Sequence, residues 1–184
     1  QIYSFNDTFP HLYIVKLNPQ GLYDSTFQVT PNHQPEGFVK YDSSRILVYG
    51  LARSFTQYNG RTIDGLCRIY HDGTFDTTFT SPLSTANVSN FFEIKKIHSD
   101  GSLFINGRFL WKNDTANKYR HIVKLKPNGE IDSSFNFYTN LTLGVAPGFG
   151  AVRAIVGTPD GGYLVGGVFD SYNGYAKRGI VKLD

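Results

Sequence analysis

Three aspartates recur at one place in a repeated motif, Asp24, Asp76 and Asp132, and a carboxylate repeated in this way could ring a surface with ligands or general acids. Each is followed by hydroxyl residues after a tight turn: Asp24-Ser25-Thr26, Asp76-Thr77-Thr78 and Asp132-Ser133-Ser134. At such places an aspartate side chain captures backbone amides just downstream of itself, so these acids are expected to be structural. No acid pair stands out at a spacing that suggests glycoside hydrolysis. The histidines His11, His33, His71, His98 and His121 are dispersed singles without a Cys or His partner at ligand spacing, so no metal site and no cofactor is expected. Cys67, the sole cysteine, lies in the apolar run Leu66-Cys67-Arg68-Ile69 and is expected to be a small core residue. The glycine pairs Gly161-Gly162 and Gly166-Gly167 fall in hairpins rather than before a helix, which removes a phosphate cradle. No catalytic residue is assigned, and the chain is expected not to be an enzyme.

Contact chemistry is better placed. Tyr58-Asn59-Gly60 and Tyr172-Asn173-Gly174 stand at equivalent positions. A Tyr beside an Asn can stack on a sugar and hydrogen-bond it, or it can be an Asn-Gly turn with the ring packed down on it. Trp111, in Arg108-Phe109-Leu110-Trp111-Lys112-Asn113, occupies the longest version of the same loop and is the best single contact candidate. The candidate contact set is therefore Trp111, Tyr58, Asn59, Tyr172 and Asn173.

The elements that must position these residues follow from one pattern. Ile14 to Phe27, Leu66 to Phe79 and Ile122 to Phe135 are copies of it, and a further copy begins at Ile180-Val181-Lys182-Leu183. The starts at 14, 66, 122 and 180 lie 52, 56 and 58 residues apart. Each copy reads as an apolar-rich strand, a turn carrying Gly21, Gly73 or Gly129, and a short strand ending in Phe27, Phe79 or Phe135. Glycine supplies the positive φ of the turn, and the phenylalanines are expected to pack between neighbouring sheets. A second hairpin precedes each copy: Phe38 to Leu51 around Asp42-Ser43-Ser44, Phe91 to Phe109 around Ser99-Asp100-Gly101, and Ala151 to Phe169 around Pro159-Asp160-Gly161-Gly162. Two hairpins per period make four antiparallel strands, the content of one propeller blade. The expected fold class is all-β: blades of four antiparallel strands, about 52 to 58 residues each, in an incomplete array over 1–184. The blades are expected as a partial one at 1–27, two at 38–79 and 91–135, and a partial one at 151–184. A sandwich has similar turn spacing but no reason to repeat its sequence at this period.

The motif apolar-Val-Lys-Leu-x-Pro-x-Gly-x-x-Asp-Ser-Ser/Thr-Phe, carried by Val15 to Phe27 and Val123 to Phe135, is followed further on by Asp160 to Phe169. Together with the box shared by Phe55 to Gly60 and Phe169 to Gly174, it resembles the delta-60 repeat, a β-propeller family of otherwise unassigned function. The copy at Leu66 departs by His71 in place of Pro, and the turn at Asp42 lacks glycine. The resemblance implies a structural or binding module of a bacteriophage virion, in its tail or tail tip, or of a bacterial surface protein. It also implies an extracellular setting, with loops meeting a protein partner or a host glycan. The alternatives are a propeller enzyme acting on polysaccharide and a purely architectural stacking module.

Composition agrees with a folded segment. Hydrophobic residues make 40% and aromatic residues 15% of the 184 positions, and the net charge of +3 is spread without a basic run, so nucleic acid is not an expected partner. No run approaches the roughly 18 to 20 apolar residues of a membrane helix. Sequons at Asn6, Asn87, Asn113 and Asn140 are of a number that chance supplies in a chain rich in Asn, Ser and Thr. The opening Gln1-Ile2-Tyr3 enters a blade midway, so the chain is expected to be a segment of a longer protein, or else to complete a ring between copies. Other subunits or remaining blades are thus expected partners.

Overall fold

The computed structural model describes residues 4–5, 9–10, 13–51, 53–83, 92–109, 120–135, 139–140 and 151–184. All regular elements among them are β-strands. The chain forms two compact units, Gln1–Thr85 and Ala86–Asp184.

In the first unit β1 (Ser4–Phe5) and β2 (Phe9–Pro10) form a small hairpin. The main sheet joins β3 (Gly37–Lys40), β4 (Arg45–Tyr49) and β7 (Leu66–Tyr70) in the antiparallel order β3-β4-β7. A two-stranded hairpin, β5 (Gln57–Tyr58) and β6 (Arg61–Thr62), projects between β4 and β7. Its second unit repeats the plan twice. There β8 (Phe92–Ile97), β9 (Leu103–Phe109) and β10 (Arg120–Leu125) make one sheet, and β12 (Ala151–Gly157), β13 (Tyr163–Val168) and β16 (Ile180–Leu183) the next. The hairpin of β14 (Ser171–Tyr172) and β15 (Tyr175–Ala176) again projects between the second and third strands, with β11 (Thr139–Asn140) beside it.

The registers coincide across repeats. Val48 faces Cys67, Ile105 faces Val123 and Val165 faces Val181, each at the same place in its pair of strands. The expected fourth strand is present as single bridges, Leu17 to Tyr23, Ile69 to Phe75 and Leu125 to Ile131. Pairing stops there because the next residue is the motif aspartate, whose carboxylate takes the amide two residues on and turns the chain away.

The hairpin turns are built as their chemistry requires. In the three motif turns the amides of Gly21, Gly73 and Gly129 donate to the carbonyls of Asn18, Tyr70 and Lys126. Where glycine is missing, the Asp42 carboxylate accepts from the amides of Ser44 and Arg45 at 2.9 and 2.8 Å, so a side chain closes the turn instead.

The core lies between consecutive repeats within each unit. In the first, Ile14, Phe27 and Val29 pack on Val48, Cys67 and Ile69 of the sheet that follows. In the second, Phe104 and Ile122 pack with Val152, Val165 and Val181, and the Phe135 ring joins them. Phe135 lies 4.8 Å from Phe104 and 6.0 Å from Tyr163, ring centre to ring centre, so it bridges the two sheets as expected of a motif phenylalanine.

Gly73 couples turn to core. Its φ is +89°, and an added Cβ would come within 2.7 Å of Val29 Cγ1 and 2.9 Å of the Phe27 ring. Gly161 has the same φ with open space around it. Gly73→Ala is therefore expected to lower the stability of its unit by about 2 to 4 kcal/mol, from positive-φ strain plus overpacking, and Gly161→Ala by only about 1 kcal/mol. Urea denaturation of both variants followed by tyrosine fluorescence checks the difference.

Candidate functional site: aspartate locks and projecting hairpins

Each motif aspartate is a two-sided lock. One carboxylate oxygen binds its own turn: Asp24 Oδ1 accepts from the Thr26 amide at 3.0 Å and hydroxyl at 2.5 Å, Asp76 Oδ1 from Thr78 at 2.9 and 2.6 Å, and Asp132 Oδ1 from Ser134 at 3.1 and 2.6 Å. The other oxygen meets a cation on the third strand: Lys16 at 2.9 Å, Arg68 at 2.6 Å and Lys124 at 3.4 Å. Backbone bonds from Asp24, Asp76 and Asp132 to the carbonyls of those same three residues, each 2.9 Å, hold the pairs in register. The structural reading of these acids is the one the geometry supports, and the cations are what the sequence reading missed. A signal was available: Lys16, Arg68 and Lys124 each stand eight residues before the acid.

The middle lock is internal. Asp76 is fully buried and Arg68 nearly so, and Arg45 adds a second guanidinium at 3.3 Å while bonding Asp42 at 2.7 Å. Tyr41 covers both guanidiniums, 4.6 Å from Arg68 and 5.1 Å from Arg45, and Phe79 lies 5.0 Å from Arg68. Arginine suits this place because its planar fork is weakly hydrated and stacks on rings, whereas the half-exposed locks use lysine.

These contacts move the acids one way. Burial pushes Asp76 up, but the hydrogen bonds from Thr78 and Arg68 outweigh it and hold the carboxyl down at about 2. The Thr26 hydroxyl and Lys16 hold Asp24 at about 2 as well. At Asp132 the Ser134 hydroxyl leads the lowering, and at Asp100 the Ser102 hydroxyl does. Burial works against ionisation of Asp42, and the bonds from Arg45 and Ser44 bring it well below the ordinary range.

The projecting hairpins carry the candidate contact residues, and here one expectation is corrected. Tyr58 is fully buried: its ring belongs to the core with Phe27 and Phe55, and its hydroxyl donates to the Gly73 carbonyl at 2.9 Å. It is the packed alternative, not a sugar platform, because the residue paired to the hairpin's inner side falls over the core. Asn59 is exposed at φ +49° and its Oδ1 accepts from the Thr30 amide at 2.7 Å, fixing the tip. Asn32, unforeseen from the sequence, clamps the hairpin base, accepting from the amides of Thr56 and Gln57 and donating to the Ser54 carbonyl. In the second hairpin Tyr172 is half-buried against the core, Asn173 is exposed at φ +46°, and Tyr175 stands 70% exposed. Trp111 lies outside the described residues. Among the described residues no group of three His, Cys, Asp or Glu could hold a metal. Cys67 is buried, and burial pushes its thiol far up.

Sequential antiparallel sheets, repeated at one register and packed within each unit around a motif phenylalanine, are the repeat arrangement of a β-propeller. Residues 51–79 and 98–135 match the model of the DUF5122 β-propeller domain of unknown function. The matched segments agree with the expected propeller family, and the strands agree with the expected all-β class. No curated protein matches the chain, and no solved structure does.

Three outcomes follow. Asp76→Asn, which strands a buried guanidinium, should cost about 3 to 5 kcal/mol, while Asp24→Asn at the exposed lock should leave the urea midpoint nearly unchanged. Because the lock carboxyls titrate lower when folded, their stabilisation is complete above the ordinary 3.8 and is lost as pH falls through about 2. Urea midpoints should therefore drop between about pH 5 and about pH 2.5, less steeply in Asp76→Asn. Cys67 should resist a thiol-disulfide reagent at neutral pH until denaturant opens its unit, as read by absorbance.

Proposed function

We propose that this chain is a non-catalytic scaffold and binding module, part of a bacteriophage tail or tail tip or of a bacterial surface protein, working outside the cell. Its projecting hairpins and the longer loop bearing Trp111 contact a protein partner or host glycan. The observation that carries this reading is the repeated hairpin at Gln57–Thr62 and Ser171–Ala176. In both copies a buried or half-buried tyrosine stands directly beside an exposed Asn-Gly turn that forms the tip. Rigid strands that hold short polar tips are a common arrangement for recognition, since the tip costs little to order on binding.

The direction of the acids supports the non-catalytic part. A general acid in glycoside cleavage needs a carboxyl raised above its ordinary range. Among the described residues, Asp24, Asp42, Asp72, Asp76, Asp100, Glu130, Asp132 and Asp160 are instead held below their ordinary values by hydroxyls, amides or cations.

Binding to intact bacterial surfaces and to a panel of purified bacterial glycans tests the proposal. The combined variant Trp111→Ala, Asn173→Ala, Tyr175→Ala should bind about tenfold more weakly or worse, with unchanged circular dichroism. Unaltered binding would remove the hairpin and loop assignment, and turnover of a glycan abolished by changing one acid would replace the module with an enzyme.

A further inference from the structure

The hairpin Gln57–Thr62 presents side-chain donors that the chain itself does not use. The Thr30 amide, which can only donate, lies 2.7 Å from one end of the Asn59 side chain, and the Thr30 hydroxyl lies 3.3 Å from the same atom. That end is therefore the oxygen, Oδ1, and the nitrogen Nδ2 is left at the other. Asn59 is exposed, and neither hydrogen of its Nδ2 meets an acceptor among the described residues.

Arg61 opens the returning strand and is the register partner of Tyr58, so the two side chains leave one face of the hairpin. Tyr58 goes down into the core, and the Arg61 guanidinium lies over the Phe75 ring, 5.4 Å from its centre. Phe75 is itself packed on the core, 6.4 Å from Tyr58 between ring centres. An aromatic floor thus places the guanidinium while Arg61 stays exposed. No carboxylate pairs with it among the described residues. The acids on either side of Phe75 are committed elsewhere, Asp72 to the amide and hydroxyl of Thr74 and Asp76 to Arg68 and Thr78. This sets Arg61 apart from Arg45 and Arg68, whose guanidiniums share the Asp76 carboxylate. At the same place the second hairpin has Tyr175, which is also exposed, so the position faces outward in both copies.

We propose that Arg61 and Asn59 form an anion site whose ligand is a glycan bearing carboxylate or phosphate groups. The inference rests on the reading of the hairpins as contact surfaces and adds the charge of what they contact. A guanidinium seated over a ring keeps its N–H edge for an oxyanion, which it meets with two parallel hydrogen bonds. The Asn59 amide supplies neutral donors for the hydroxyls of the sugar that carries the charge. An uncharged glycan would leave the guanidinium without a counter-charge. A folded protein partner buries roughly 800 Å² on one side, far more than a two-residue tip offers, whereas a charged sugar unit is of the tip's own size.

The probes are polygalacturonate, a glucosylated poly(glycerol phosphate), polygalacturonate with its carboxyls reduced to alcohols, and polyglutamate, each titrated by calorimetry into the whole 184-residue chain. At least one of the first two should bind, and which of them does assigns the carboxylate or the phosphate. The reduced polymer and polyglutamate should bind far more weakly. Arg61→Gln, and Arg61→Tyr, which copies the second hairpin, should each weaken binding about tenfold or more with unchanged circular dichroism. Lys40→Gln, which removes one exposed charge at the far end of β3–β4 from the hairpin, should leave binding unchanged. No binding of either anionic polymer, equal binding of the reduced polymer or of polyglutamate, or an equal loss in Lys40→Gln would each overturn the proposal. Binding that survives both Arg61 variants but is lost in Asn173→Ala, Tyr175→Ala would overturn the anion site and leave the hairpins as contact surfaces. Binding that survives all of these variants would overturn both.

Discussion

A carboxylate with two oxygens and two obligations organises this chain. One oxygen of each motif aspartate is committed to the turn that follows it and the other to a cation on the strand before it. The backbone between them has little freedom left, and the phenylalanine three residues on is delivered to a set place. In both units that delivery joins repeats: Phe27 and Phe135 are the rings around which one sheet seats on the next. The lock is local and polar, yet its product is a long-range apolar contact, and this is how a repeat too small to bury its own faces becomes stable in an array.

The same lock takes different chemistry according to depth. At the half-exposed positions a lysine suffices, since water solvates whatever the carboxylate does not. At Asp76, where water is excluded, the cation is an arginine, a second arginine reaches in, and aromatic faces cover both. A buried pair of this kind contributes little net stability compared with an apolar pair but is costly to break on one side only. It therefore acts as a specification of register more than as a source of free energy.

The proposed contact surface sits on what the locks leave free. Hairpins between the second and third strands of a sheet carry no core except at their inner tyrosine, so their tips can vary while their bases stay anchored.

Period, strand content, turn chemistry and the captive role of Asp24, Asp76 and Asp132 were legible in the sequence, because each depends on residues close together in the chain and is written once per repeat. The cation partners were written as regularly, at one place in each copy, but a position in a strand does not reveal which side chain reaches across to a turn. Tyr58 and Tyr172 show the limit. Identical tripeptides surround them, yet one ring is sealed in a core with its hydroxyl on Gly73 and the other is half-covered, because burial depends on the neighbours that the fold supplies. Ile122 and Ile180 open the same motif, and Ile122 is 2% exposed where Ile180 is 58% exposed. Local sequence determined which residues could be core. Only the packing of one repeat against another decided which of them are, since burial is a property of the pair of surfaces and not of either strand alone.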